Sequence, residues 1–182
     1  MISKGKLLLS EPFMTDPNFK RSTILITDHD EENGTVGFVL NQKSSYRIEE
    51  LLEDIGDFSA EVYLGGPVSN NILHFLHCVG DLLEDSIPIS RGVYWSGDFE
   101  AMKFLIAQGL INNDSIRFYL GYSGWSEGQL QTEIDEHSWI IEDMDPNYLF
   151  NQNAESMWKD ILRAKGETFT AISEMDGDYI FN

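Results

Sequence analysis

The stretch FYLGYSGWSEGQLQTEI, Phe118 to Ile134, decides how this chain folds. It begins inside SIRFYLG (115–121), where Ile116, Phe118 and Leu120 alternate with Arg117 and Tyr119, the two-residue period of a strand. It ends in a helix that the spacing starts near Ser126, because Ser126 and Gln129 stand three apart as in a capping box. Between the two, Gly121 and Gly124 permit positive φ or close backbone approach, and Trp125 can lay its ring across the bend. The stretch reads as a packed strand-to-helix corner, with the free N–H groups of the new helix as a candidate anion holder.

Enzyme templates fail here by position. Gly121, Gly124 and Gly128 are spaced x2 and x3, unlike the dinucleotide fingerprint, and no Gly-Lys-Ser/Thr ends the loop as a phosphate loop requires. In Gly121-Tyr122-Ser123-Gly124 the second glycine comes one residue too early for a nucleophile elbow.

Outward from the corner, strand-like and helix-like runs mix. STILITD (22–28) and TVGFVLN (35–41) flank a charged turn that closes on Asn33-Gly34, which predicts a hairpin. KLLLS (6–10), EVYLGG (61–66), ILHFLHCVG (72–80) and RGVYW (91–95) also read as strands. Ile48, Leu51, Leu52 and Ile55 fall on one helical face, with Gly56 as a stop. A second helix follows Ser96, Gly97 or Asp98 as cap and stops at Gly109; a fourth covers AESMWKDILRAKG, with Met157, Trp158, Ile161 and Leu162 inward. Without strict strand–helix alternation, the class is α+β.

The 182 residues suit one domain over 1–182, and 42% hydrophobic content with 11 Phe, 7 Tyr and 4 Trp supplies a core. Twelve basic residues against 31 acidic give a net charge of −19. Such a chain repels phosphate backbones, so direct nucleic-acid binding is disfavoured; the densest basic group is Lys159, Arg163 and Lys165. A lone cysteine, Cys78, excludes an intrachain disulfide. The apolar run near the N-terminus is too short for a signal peptide, and no run approaches a membrane span, so the chain reads as cytoplasmic.

GYSGWSEGQLQTEI with Trp139, GGPV (65–68) with the LHFLH that follows, FMTDPNFKRSTILI and GTVGFVLNQ together resemble the YqgE/AlgH family of bacterial proteins over about 150 residues in order. The resemblance implies a small closed β-barrel-like sheet surrounded by helices. It brings no catalytic residues and no cofactor. The family name comes from a link to alginate regulation, which implies a transcriptional regulator; the acidity of this chain argues against direct DNA contact.

Other constellations carry less. His74, His77 and Cys78 resemble a metal set, but on a strand the two histidines point to opposite sides, so no metal is expected. Asp28, Asp30, Glu31 and Glu32 lack the glycine and glutamate of a calcium loop. Gly65 and Gly66 could form an anion nest or only a turn before Pro67. Asn41, Gly65, Gly66, Gly124, Trp125, Ser126, Gly128, Gln129 and Glu133 all lie at predicted strand ends or on the following helix; brought together, they would outline one polar-mouthed ligand pocket. The leading function is a non-catalytic binding or regulatory domain acting through a protein or small-molecule partner. The alternatives are a hydrolase or transferase holding an anion at the glycine corners, with Glu133, Asp16 or His77 as the titratable group, and a transcriptional regulator.

Overall fold

The computed structural model describes residues 1–150 and 153–175. Ten strands run in chain order: β1 (Lys6–Ser10), β2 (Thr23–Asp30), β3 (Gly34–Val39), β4 (Lys43–Arg47), β5 (Glu61–Leu64), β6 (Val68–His77), β7 (Ile87–Ser90), β8 (Val93–Trp95), β9 (Ile116–Trp125) and β10 (Trp139–Asp143). Among the described residues six helices accompany them: α1 (Ile48–Leu51), α2 (Phe99–Ala107), α3 (Gln129–Asp135), α4 (Pro146–Phe150), α5 (Ala154–Ala164) and α6 (Glu167–Glu174). The strands form one path, β10-β1-β2-β3-β9-β6-β8-β7, with β5 parallel to β9 and β4 on the far side of β5.

The expected closed barrel is corrected to an open, curled sheet. β10 and β7 end the path and do not pair with each other. The curl does bring β7 close to the start of β1: a Cβ on Gly5, just before β1, would stand 2.8 Å from the Ile89 carbonyl of β7. β1 offers β7 no free edge, because it already pairs β2 on one side and β10 on the other.

Strand β9 joins the two halves. Its first part pairs β5 and β6, and its last part, Ser123–Trp125, pairs β3. The change of direction falls at Gly121, φ +68, where a Cβ would lie 2.7 Å from the Gly66 carbonyl. Only glycine fits there, on both counts.

Strands β1, β2, β3 and β9 bury alternate residues on opposite faces. Leu7, Leu9, Leu25, Phe38, Tyr119 and Leu76 face inward, under Leu149, Phe150, Met157, Trp158, Ile161 and Leu162 of α4 and α5. Leu8, Ile24, Ile26, Val39 and Trp125 face the opposite way, against Leu130 of α3 and Trp139. Beyond the bend, Val62, Phe75, Phe118 and Leu120 pack with Ile48, Met102 and Ile106 of α1 and α2. The four expected inward residues of α5 are all buried, and the Trp158 indole donates to the Ser10 carbonyl at 3.0 Å.

The hairpin forms as expected, but β2 and β3 extend into the charged turn, leaving only residues 31–33 as its tip. Asp30 makes this tight end possible. Its Oδ1 accepts the backbone N–H groups of Asn33 (2.7 Å) and Glu32 (2.9 Å), and those bonds hold its carboxyl below the usual range. Asp98 caps α2 by accepting from Ala101 N–H.

The helix expected through Ile55 stops after one turn at Leu51. Glu49 on that turn is captured by the following loop. The Ser59 hydroxyl donates to it at 2.5 Å, Arg47 and the Ala60 N–H add bonds, and its carboxyl drops to about 2. The chain then reverses through left-handed Asp54 and Gly56. Among the described residues no helix is long and apolar enough to cross a membrane.

Candidate functional site

The corner quoted at the start is organised around one carboxylate. Trp125 ends β9, and Glu133 lies on α3, which follows it. The Trp125 indole N–H donates to Glu133 Oε2 at 2.9 Å, and the Trp139 indole N–H donates to the same oxygen at 2.8 Å. The Gln129 amide donates to Glu133 Oε1 at 2.9 Å. Gln129 Oε1 in turn accepts the Ser126 backbone N–H (3.0 Å) and hydroxyl (3.2 Å). Half the expected capping box is present: the glutamine reaches back, but the serine hydroxyl accepts no helix N–H, and the Gln129 N–H goes to the Ser126 carbonyl instead at 3.1 Å. The cap position falls instead on Gly128, φ +68.

The two indoles meet edge to face at 5.9 Å, and Phe19 packs on both, at 6.3 Å from Trp125 and 5.6 Å from Trp139. Trp125 and Trp139 are 5% and 4% exposed. A buried indole N–H needs an acceptor, and one carboxylate serves both.

Beside this clamp opens a cleft of about 480 Å³. The β1–β2 loop supplies Glu11, Phe13, Met14, Thr15, Asp16 and Phe19; the corner supplies Gly124, Trp125, Gln129, Glu133, Ser138 and Trp139. The loop is pinned by the Glu11 N–H to the Ser138 carbonyl at 2.9 Å, and Asp16 Oδ1 accepts the Asn18 N–H. Among the described residues, three carboxylates and no lysine or arginine line the cleft. Phe13 stands at its side, 42% exposed.

The nine residues singled out from sequence are placed in three groups. Gly124, Trp125, Gln129 and Glu133 line this cleft together. Ser126 and Gly128 line a separate pocket of about 270 Å³ with His29 and Thr35. Asn41, Gly65 and Gly66 line neither. Asn41 is a strand anchor, accepting Thr23 N–H and donating to the Arg21 carbonyl, both at 2.9 Å. The Gly65 N–H is spent on the Leu120 carbonyl at 2.8 Å, and its own carbonyl accepts from Val39 N–H and the Ser123 hydroxyl. Added Cβ atoms at Gly65 and Gly66 would stand 2.3 Å from Gly121 and Tyr122 backbone atoms. These glycines let β5 and β9 touch, and no cavity separates the two backbones.

His74 and His77 do face opposite sides of β6. His77 is fully buried, stacks on Tyr94 and bonds the Ser96 carbonyl at 2.7 Å. Burial holds both imidazoles below their ordinary pKa, opposed at His77 by the Ser96 carbonyl. Among the described residues no three His, Cys, Asp or Glu side chains gather as metal ligands. Two of the three residues of the basic group near the C-terminus are paired: Arg163 with Glu174 and Asp160, and Lys165 with Glu142.

A feature unseen in the sequence lies on the inner face. Five buried side-chain polar atoms lack a partner among the described residues, and three of them, His74 Nε2, Trp95 Nε1 and Tyr119 Oη, belong to one aromatic cluster. Each such group costs about 1–3 kcal/mol of desolvation. Only cross-strand pairing reveals it, because the three residues come from three strands.

An open, curled α+β sheet with a carboxylate-clamped tryptophan pair is the class that this fold and site define. A family model described as AlgH-like matches residues 7–170. The chain belongs to that YqgE/AlgH family. It is 42% identical to a UPF0301 protein of Cytophaga hutchinsonii, covering 95% of each chain, and 37% identical to one of Bacteroides thetaiotaomicron over 99% of this chain and 91% of that one. The solution structure of the AlgH protein from Pseudomonas aeruginosa superposes with a TM-score of 0.72 at 27% identity, over 94% of this chain and 93% of that one. Protein DIP2367 from Corynebacterium diphtheriae shares the fold, with a TM-score of 0.81 at 21% identity over 96% and 93%.

Proposed function

We propose that this protein is a non-catalytic binding domain whose working surface is the acidic, aromatic cleft beside the tryptophan clamp, and that its partner is a protein segment presenting lysine or arginine next to an apolar side chain. The observation that carries the reading is the cleft's lining: Glu11, Asp16 and Glu133 with Phe13, Phe19 and two tryptophans, and no cationic residue. Carboxylates beside aromatic side chains favour a cation carrying apolar surface and repel anions. Catalysis fits less well, because both Glu133 oxygens already accept protein hydrogen bonds. A DNA-binding role fits less well too, since Arg163 and Lys165 are engaged with carboxylates. Such a domain would work in the cytoplasm, in keeping with the free, exposed thiol of Cys78.

The test is fluorescence anisotropy with a short labelled peptide containing two lysines and a phenylalanine. The double variant Glu11→Gln/Asp16→Asn keeps the loop's acceptor oxygens and removes two charges. Glu31→Gln/Glu32→Gln removes two charges from the distant hairpin tip. The cleft variant should weaken binding by about fivefold or more, the worth of roughly 1 kcal/mol. Equal weakening by both variants would mean diffuse attraction to an acidic protein and defeat the reading.

A further inference from the structure

Tyr119 on β9 and His74 on β6 are cross-strand partners, and Trp95 on β8 stands opposite Leu76, two residues along from His74. The three side chains therefore share the inner face. Their rings surround Phe38, with centroids 5.0 Å (His74), 5.7 Å (Trp95) and 5.8 Å (Tyr119) from it, and the His74 and Trp95 rings are 6.2 Å apart. Tyr119 is fully buried, and its hydroxyl bonds to no protein atom among the described residues; the same holds for Trp95 Nε1 and His74 Nε2. Buried tyrosine and tryptophan ordinarily find a hydrogen-bond partner. The other three indoles of this chain do so: Trp125 and Trp139 on Glu133, Trp158 on Ser10.

We propose that this patch is a binding site for a small molecule that presents a carboxylate or carbonyl oxygen to the ring donors. The sense of recognition is fixed by the indole, which can only donate, so the ligand must bring an acceptor. The phenol can donate as well, and so can the imidazole in its Nε2–H tautomer, its pKa lowered by burial. A cation finds no carboxylate in the cluster. An acceptor, by contrast, has Arg117 nearby, on the same face of β9 as Tyr119, with its guanidinium bonded to the Asn113 and Phe150 carbonyls. This patch lies on the other face of the sheet from the acidic cleft, so either reading can fail alone.

The indole N–H resonances of the four tryptophans test it directly. Trp95→Phe assigns the Trp95 signal. Millimolar acetate and acetamide are then titrated into the whole protein. Either compound should move the Trp95 indole proton downfield and saturably, while the other three, already bonded, stay in place. Tyr119→Phe keeps the ring, removes one donor and should raise the apparent Kd by about threefold to tenfold, the worth of one neutral hydrogen bond. If neither compound shifts the Trp95 signal, or if all four indoles shift together, the site does not exist. An unchanged Kd in Tyr119→Phe equally overturns the proposed donor set.

Discussion

Replacing Glu133 isolates the energetic centre of the corner. In Glu133→Ala the Trp125 and Trp139 indoles both lose their shared acceptor, at 2.9 and 2.8 Å. Hydrogen bonds to a charged group are worth about 1.5–3 kcal/mol each, which sets an upper sum near 6. Glu133 is only half-buried beside an open cleft, so water can replace part of the loss. The expected cost is therefore about 2–4 kcal/mol, or a fall of about 1–2 M in the urea midpoint for an m-value near 2 kcal/mol/M. Glu133→Gln supplies the control. Its carbonyl oxygen can accept both indoles, but its amide then faces the Gln129 amide, which is held in place by Ser126. That variant should lose about 1 kcal/mol, one neutral bond. Urea unfolding followed by tryptophan fluorescence measures both, and the indole proton signals of Trp125 and Trp139 should shift upfield in Glu133→Ala. If both variants unfold within about 0.5 kcal/mol of the parent, surface-like behaviour, the carboxylate does not hold the corner and the reasoning fails.

Gly65→Ala should destabilise by about 2–3 kcal/mol, because its Cβ would sit 2.3 Å from the Gly121 carbonyl oxygen and 2.8 Å from Phe38. Gly109→Ala meets nothing within 4 Å but stands at φ +73, and should cost about 1–2 kcal/mol, so thermal unfolding of the pair separates contact from conformation. Stability should also fall on mild acidification. His74 and His77 have folded pKa values held below the unfolded value near 6.5, so below that pH the unfolded chain binds more protons; each can add up to about 1.4 kcal/mol per pH unit between pH 6.5 and its folded pKa. His74→Phe should flatten the slope of stability between pH 6.5 and 5, and an unchanged slope would refute the assignment.

The parts legible in the sequence are those with a local signal. β9, the β2–β3 hairpin, α2 and α5 each show a clean period or a cap, and each formed. β4, KSSYR, has no apolar face at all; it exists because β5 offers it a ladder. β7 is four residues with a proline. The apolar face through Ile48, Leu51, Leu52 and Ile55 promised a longer helix, but the long-range grip of Ser59 and Ala60 on Glu49 ended it. That the sheet stays open was not legible, because it depends on which strands fill the two sides of β1. At the site, Trp125, Gln129 and Glu133 stood out in sequence, yet the sharing of one carboxylate by two indoles depends on Trp139 arriving from β10. Asn41 and Gly65 looked like pocket residues because strand ends are common to anchors and to sites.

Strand β9 has a consequence for how the chain is made. It is the neighbour that β3, β5 and β6 each lack until it appears, and it starts at Ile116. While the ribosome is still threading the first hundred residues, those three strands expose unfilled edges, the condition in which chains stick to one another. The last helices, which cover the inner face, emerge later still. The vulnerable interval closes in two stages: the ten residues of β9 leave the exit tunnel and zip the halves together, and β10 then fills the remaining edge of β1.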